Sequence, residues 1–314
     1  MSKSPPTRRE RWAWYSYDIG NSAYAAVVLL AIYAAYFKEQ VVGGAEGSRL
    51  WGLSVGIAML VVAVTSPVLG VIADYAGSKK RILLFFTVVA CVSTAMLFLV
   101  RKGDVLTGML FFILAEIGYR SGQVFYNALL PEIADPKEIG RVSGNGWAIG
   151  LVGGIVCLFL VLVLVTLIGG VWIVRLSLVI TALHFALFAT PLYFWLRERA
   201  QREPMPPGES YLTIASQRLS RTLRAVQHHR EFVKFIVAFL IYNDGVLMTV
   251  SFAAIFGAVM FGLDQQQLII FMIIVQVTSV VGSYISGLLA DRFSGKTTLV
   301  IFILLMLGAV MGLF

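Results

Sequence analysis

Four side chains in one apolar stretch give the first chemical signal. Glu116, Arg120, Gln123 and Asn127 fall at i, i+4, i+7 and i+11, which on an α-helix makes one continuous polar stripe. Charge facing hydrocarbon costs several kcal/mol, so such a stripe must face protein or water. A carboxylate beside a guanidinium offers complementary charges to a zwitterion; the alternative is an internal Glu116–Arg120 ion pair that only holds helices together. Asp244, between Asn243 and Gly245, is the second candidate for binding substrate or a proton. At about 1.5 Å per residue from Lys234 it lies roughly 15 Å deep. Asp18, with Asn21 close behind, lies only roughly 10 Å from Arg11, where a helix dipole accounts for an aspartate without any substrate.

Weaker signals surround these. His184 has no visible partner and reads as a satisfied neutral imidazole rather than a proton relay. Gln276, Ser279 and Ser283 share a helix face that either lines a cavity or joins helices by hydrogen bonds. Gly146, Gly150 and Gly154 form a small-residue ridge whose expected role is close backbone packing. A relaxed phosphate-loop pattern at 290–297 joins two apolar blocks and lacks the strand-to-helix context that the motif requires. Two isolated cysteines, Cys91 and Cys157, make neither a disulfide framework nor a metal site. No paired nucleophile and base occurs, so no enzyme, cofactor or metal is expected.

The elements that must position these residues follow from composition. The 314 residues are 59% hydrophobic and only 13% charged, which excludes a soluble enzyme, a secreted disulfide domain and a disordered chain. The excess falls into nine apolar blocks near 12–37, 50–74, 81–101, 105–128, 145–167, 172–196, 232–259, 266–290 and 297–314. Most are long enough for an α-helix to cross a bilayer. A polar stretch from Arg197 to Glu231 divides six blocks from three. The expected organisation is a six-helix bundle over 1–196, a linker over 197–231 and an incomplete second bundle over 232–314. Within the linker, Leu212, Ala215, Leu219, Leu223 and Val226 keep helical spacing and predict an amphipathic helix on the membrane surface.

Most of the 25 Lys and Arg collect on one side if the N-terminus is cytoplasmic, and the positive-inside rule selects that orientation. The net charge of +8 then reads as a collar facing anionic lipid, with no interleaved aromatics to suggest nucleic acid.

Two connectors repeat each other. Gly70-Val-Ile-Ala-Asp74-Tyr-Ala-Gly77-Ser-Lys79-Lys80-Arg81 is echoed by Gly287-Leu-Leu-Ala-Asp291-Arg292-Phe-Ser-Gly295-Lys296, and Tyr17-Asp18 by Tyr242-Asn243-Asp244. A unit that begins again after a long linker is the pattern of a parallel-repeat transporter. The connectors resemble the loop motif of the major facilitator superfamily, with Tyr75 standing where a cation is usual. The segments YSYDIGNSAYAAVV (15–28), FYNALLP (125–131), GRVSGNGWAIGLVGG (140–154) and YNDG (242–245) resemble the branch of fungal vacuolar amino-acid effluxers and their bacterial relatives.

The resemblance implies an all-α membrane protein of the major facilitator fold that moves a small polar metabolite, an amino acid above all, by alternating access. It assigns a gating role to Gly70, Asp74, Gly77, Lys79, Lys80, Arg81, Asp291 and Arg292, with Asp74 pairing to Lys79, Lys80 or Arg81 and to a helix N-terminus in the other half. Proton coupling through Asp244 or Glu116 is compatible with this, and lipid is the other partner. The location would be the inner membrane of a bacterium or the vacuolar membrane of a fungus. The alternatives are a non-transporting receptor or assembly protein, or an inactive truncated transporter; an enzyme built on His184 or Asp18 is less favoured. Against a repeat of six and six, three helices in the second half predict a fragment or a truncated reading frame.

Overall fold

The computed structural model describes residues 6–199, 208, 210–228, 230–261 and 265–312. Every regular element among them is helical. Helix α1 spans Arg8–Val42. Its start is fixed by a capping box: the Thr7 hydroxyl accepts from the Glu10 main chain at 3.3 Å, and the Glu10 carboxylate accepts from the Thr7 main chain at 2.8 Å. Over Ala25–Ala31 and Phe37–Val42 the helix widens to π geometry, marked by main-chain bonds five residues apart from Ile32 to Val27 and from Gly43 to Lys38.

The other helices are α2 (Gly44–Ala76), α3 (Lys79–Met96), α4 (Val105–Ala128), α5 (Ile139–Ile168) and α6 (Val171–Trp195). They are followed by α7 (Tyr211–His228), α8 (Arg230–Phe261), α9 (Gln265–Phe293) and α10 (Gly295–Met311). Six helical runs among the described residues are long and apolar enough to cross a bilayer: Arg8–Val42, Gly44–Ile72, Lys79–Leu99, Val105–Ile133, Ile139–Ile168 and Val171–Trp195. The remaining three apolar blocks lie on α8, α9 and α10. The turn from α5 to α6 is only Gly169-Gly170, at φ +70° and +84°, a backbone region that side chains rarely enter.

Helix α1 is the hub, packed against α5 and α6, while α3 packs against α4 and α6, and α2 against α4. The interior is aromatic. Trp14 and Tyr17 of α1 stack on Tyr126 of α4 with ring centroids 4.4 and 4.9 Å apart. Their polar tips are satisfied, because the Trp14 indole donates to the Tyr126 carbonyl and the Tyr126 hydroxyl to that of Trp14. Leu60, Val64, Leu106, Phe159, Leu187 and Phe194 are exposed on the outside, the inverse of a water-soluble fold and the surface that lipid covers.

Helix α7 has a large apolar asymmetry and lies against α2, where Ile214 and Ala215 are buried together with Val71. The Arg218 guanidinium sits 5.0 Å from the Tyr75 ring centroid and donates to its hydroxyl at 3.1 Å. Helix α9 packs along α5 through glycine. A Cβ added to Gly144 would come within 2.8 Å of the Gly287 Cα.

Candidate functional site

Where α1, α4 and α5 meet, a cavity of about 130 Å³ is lined by Asp18, Asn21, Ser22, Tyr119, Gln123 and Trp147, among others. The glycine ridge of α5 makes this meeting possible. A Cβ on Gly146 would strike the Trp14 ring at 2.3 Å, one on Gly150 the Asp18 carboxylate at 2.7 Å, and one on Gly154 the Ser22 carbonyl at 3.0 Å. The ridge therefore does more than pack backbones, because it also leaves the space that the Asp18 carboxylate fills.

Asp18 is 8% exposed and Asn21 is 2% exposed. The Asn21 amide donates to Asp18 Oδ1 at a long 3.4 Å, and its own Oδ1 is buried with no hydrogen-bond partner among the described residues. The helix-dipole account of Asp18 does not hold. The Thr7–Glu10 box starts α1 at Arg8, so Asp18 stands in the third turn, beyond the reach of the helix end. Widening of α1 begins at Ala25, and Ala25, Ala26 and Leu30 also border the cavity. Asp244, the other candidate for binding substrate or a proton, is exposed on α8, and Asn243 beside it is half-buried.

The polar stripe of α4 divides by depth. Glu116 is fully buried; its Oε1 accepts from Arg120 Nε at 2.8 Å and its Oε2 from the Tyr24 hydroxyl at 3.0 Å. Arg120 keeps 36% of its side chain exposed, with its guanidinium 5.2 Å from the Tyr119 ring centroid. Gln123 Nε2 donates to the Tyr119 hydroxyl at 3.3 Å and lines the cavity, whereas Asn127 is exposed. The ion pair and the cavity are thus joined through Tyr119. Tyr24, Ser22 and Trp147 escaped the sequence reading, although Tyr24 and Ser22 recur at helical spacing from Asp18 and Asn21.

Both connectors of the repeat are placed at the same end of the bundle as the start of α1, as the shared partners below show. Gly77 adopts φ +53° in the turn between α2 and α3. The Lys79 ammonium pairs with Glu132 at 3.1 Å, and that of Lys80 donates to the carbonyls of Tyr193 and Leu196. Gly70 lies within α2 and Arg81 is exposed in the first turn of α3. The Asp74 side chain lies outside the described ones. In the second copy, Asp291 Oδ2 accepts the main-chain N–H of Arg141 at 2.8 Å, and the Arg292 guanidinium lies 5.5 Å from the Phe293 ring.

A further lattice went unread in sequence. Segment 196–199 after α6 is laced across the starts of α1 and α3 and the short helix Leu130–Ile133 that follows α4. Arg199 pairs with Glu10 at 2.8 Å, its main chain donates to Glu132 at 2.6 Å, and Glu198 accepts the Lys79 main-chain N–H at 2.5 Å. His184 is half-buried and its Nδ1 finds no partner among the described residues, because Ile19, Val152 and Phe188 surround it in an apolar groove. The expected satisfied imidazole is corrected on that point. Ser279 and Ser283 donate to carbonyls of their own helix, Val275 at 2.7 Å and Ser279 at 2.8 Å; the Gln276 side chain lies outside the described ones.

The family model described as vacuole effluxer Atg22 like matches residues 51–314. The chain belongs to this family. An uncharacterized MFS-type transporter of Bacillus subtilis, YxiO, is 31% identical over 306 residues, which cover 93% of this chain and 70% of that protein. Autophagy-related protein 22-1 of Aspergillus niger is 26% identical over 179 residues, 55% of this chain and 28% of the fungal one. Among solved structures, the proton:xylose symporter XylE bound to 6-bromo-6-deoxy-D-glucose superposes with a TM-score of 0.55 at 14% identity, covering 91% of this chain and 68% of that one. That likeness establishes the major facilitator fold. As a member of the family, the chain is a multi-pass membrane protein of the transporter class.

Proposed function

We propose that the chain moves a small polar metabolite, an amino acid in our reading, by alternating access, with the α1–α4–α5 cavity as its binding site. The observation that carries this is the enclosed Asp18 carboxylate in a cavity bordered by Tyr119, together with an Asn21 oxygen that has no partner among the described residues. A buried charge without a salt bridge favours a ligand that brings the opposite charge, as an ammonium group does. Arg120, held on one edge by Glu116 and partly exposed beside Tyr119, supplies the complementary cation for a carboxylate. In this reading residues 1–196 form one bundle, 197–231 a cytoplasmic linker and 232–314 the part of the second bundle that this chain contains, with the N-terminus in the cytoplasm. The contact of Asp291 with Arg141 then closes the cytoplasmic side.

Reconstituted protein tested against a panel of labelled amino acids, with and without a pH gradient, checks the proposal. The expected result is saturable uptake or binding of at least one amino acid, lost in Asp18→Asn and weakened in Arg120→Ala. Binding of none, together with unchanged behaviour of both variants, would sink it.

A further inference from the structure

We propose that Asp18, Asn21 and Ser22 form a binding site for a monovalent cation of sodium's size. The three residues fall at i, i+3 and i+4 of α1, so they share one face within about a turn. That face lies on the glycine ridge of α5. A methyl group at Gly150 would lie 2.7 Å from Asp18 Oδ2 and 2.9 Å from Ser22 Oγ, so the bare backbone there leaves both oxygens facing the same space. Asn21 adds a third oxygen, Oδ1, which is buried and has no hydrogen-bond partner among the described residues. Its amide nitrogen, not its oxygen, faces Asp18 at 3.4 Å, and rotation of the amide by half a turn would exchange the two and bring Oδ1 to a cation held by the carboxylate.

Charge and donor chemistry select the ligand. Asp18 makes no ion pair among the described residues, and the cavity lining contains no Lys, Arg or His. The closest guanidinium in the polar stripe, Arg120, is engaged by Glu116. Carboxylate, amide carbonyl and hydroxyl oxygens are all hard donors, suited to a hard cation. One carboxylate balances a single positive charge. Calcium would require six to eight oxygens with more negative charge, and magnesium a near-octahedral set. A cavity of about 130 Å³ admits an ion with a few of its waters, each of which occupies about 30 Å³ in the liquid. The cation site stands on these contacts alone; because Asp18 is the one carboxylate among the described residues lining the cavity, sodium and the substrate ammonium proposed above would compete for it, and any coupling to a transported solute rests on that reading.

The test is thermal unfolding of the purified full chain in nanodiscs, followed by tryptophan fluorescence in equimolar NaCl, KCl or choline chloride. Sodium at about ten times its Kd is expected to raise Tm by roughly 3 °C over choline. Asp18→Asn should abolish the sodium increment, while Glu46→Gln, at an exposed carboxylate, keeps it. If Asp18→Asn does not fold, Asn21→Ala retains the charge and should weaken sodium binding roughly tenfold by equilibrium binding of radioactive sodium. Equal Tm in all three salts, or equal responses to sodium and potassium, would overturn the proposal, and the first of these would leave Asp18 as a proton site. Loss of amino-acid uptake with sodium binding intact counts against the transport reading and leaves this one standing.

Discussion

Asp291, in the last turn of α9, caps the first turn of α5 from 150 residues away: its Oδ2 accepts the Arg141 main-chain N–H at 2.8 Å. Helix α5 has no side-chain cap of its own, because Glu138 at its N-cap position makes none. A carboxylate at a helix N-terminus gains both a hydrogen bond and the dipole term. The same crossing brings Gly144 against Gly287, so loosening one contact loosens both. Asp291→Ala is therefore expected to shift the equilibrium toward the separated state by about 1 kcal/mol, or about fivefold. Modification by a membrane-impermeant thiol reagent of a cysteine placed at Ser143, which borders this crossing, should quicken by that factor. An unchanged rate would show that the cap is not part of the closure.

The Glu116–Arg120 pair separates two roles in one experiment. Glu116 is fully buried, so Arg120→Ala leaves a carboxylate supported only by the Tyr24 hydroxyl. The cost expected is about 2–3 kcal/mol, less than for a wholly buried pair because Arg120 is partly exposed. Replacing both at once, as Glu116→Leu with Arg120→Met, should recover most of that stability, since the unpaired charge is gone. If the pair also serves binding, the double variant regains its Tm yet stays deficient in ligand affinity. Recovery of both would make the pair purely structural.

These two contacts mark how far the sequence could be read. Block lengths were legible because bilayer thickness dictates them, and the α4 stripe because helical spacing alone puts Glu116, Arg120 and Gln123 on one face. What each face meets is a tertiary matter. Depth counted from Arg11 puts Asp18 close to the helix end, yet the capping box begins α1 at Arg8 and the glycines of α5 enclose the carboxylate. The ridge at Gly146, Gly150 and Gly154 was visible, but its partner was not. The lattice of Glu10, Glu132, Glu198 and Arg199 was equally hidden, since it joins residues up to 189 positions apart. The tyrosine at position 75 was legible as a departure, and its partner Arg218 was not.

Acid should loosen the contact at Glu138, outside the membrane span. The hydrogen bond from Arg11, then its charge and that of Arg141, hold the Glu138 carboxyl below the usual carboxylate range. A depressed folded value means that the pair stabilises the native state above the unfolded carboxylate value. The contribution is lost as pH falls through the folded value. Arg11→Gln should therefore lower Tm at neutral pH, while the difference from the parent shrinks on acidification. Tm measured from pH 7 down to pH 3 checks the sign; a gap that widens toward acid would refute the assignment.

Helix α7 offers the last test, through the Arg218 side chain on its polar edge. Arg218 both donates to the Tyr75 hydroxyl and rests against its ring, while Ile214 and Ala215 hold the apolar edge on Val71. A cation–π contact at a partly exposed site contributes about 0.5–1 kcal/mol, and the hydrogen bond to a charged donor adds a comparable amount. Tyr75→Phe removes only the hydroxyl, whereas Arg218→Ala removes both terms and any other contact of that side chain. Arg221 and Arg224 are exposed on docked α7, but trypsin needs the backbone there to unwind, so cleavage reports the released fraction. The expected order of cleavage rates is parent, then Tyr75→Phe, then Arg218→Ala, with the last about fivefold to tenfold above the first. Equal rates for all three would mean that the apolar contacts with Val71 hold the helix unaided.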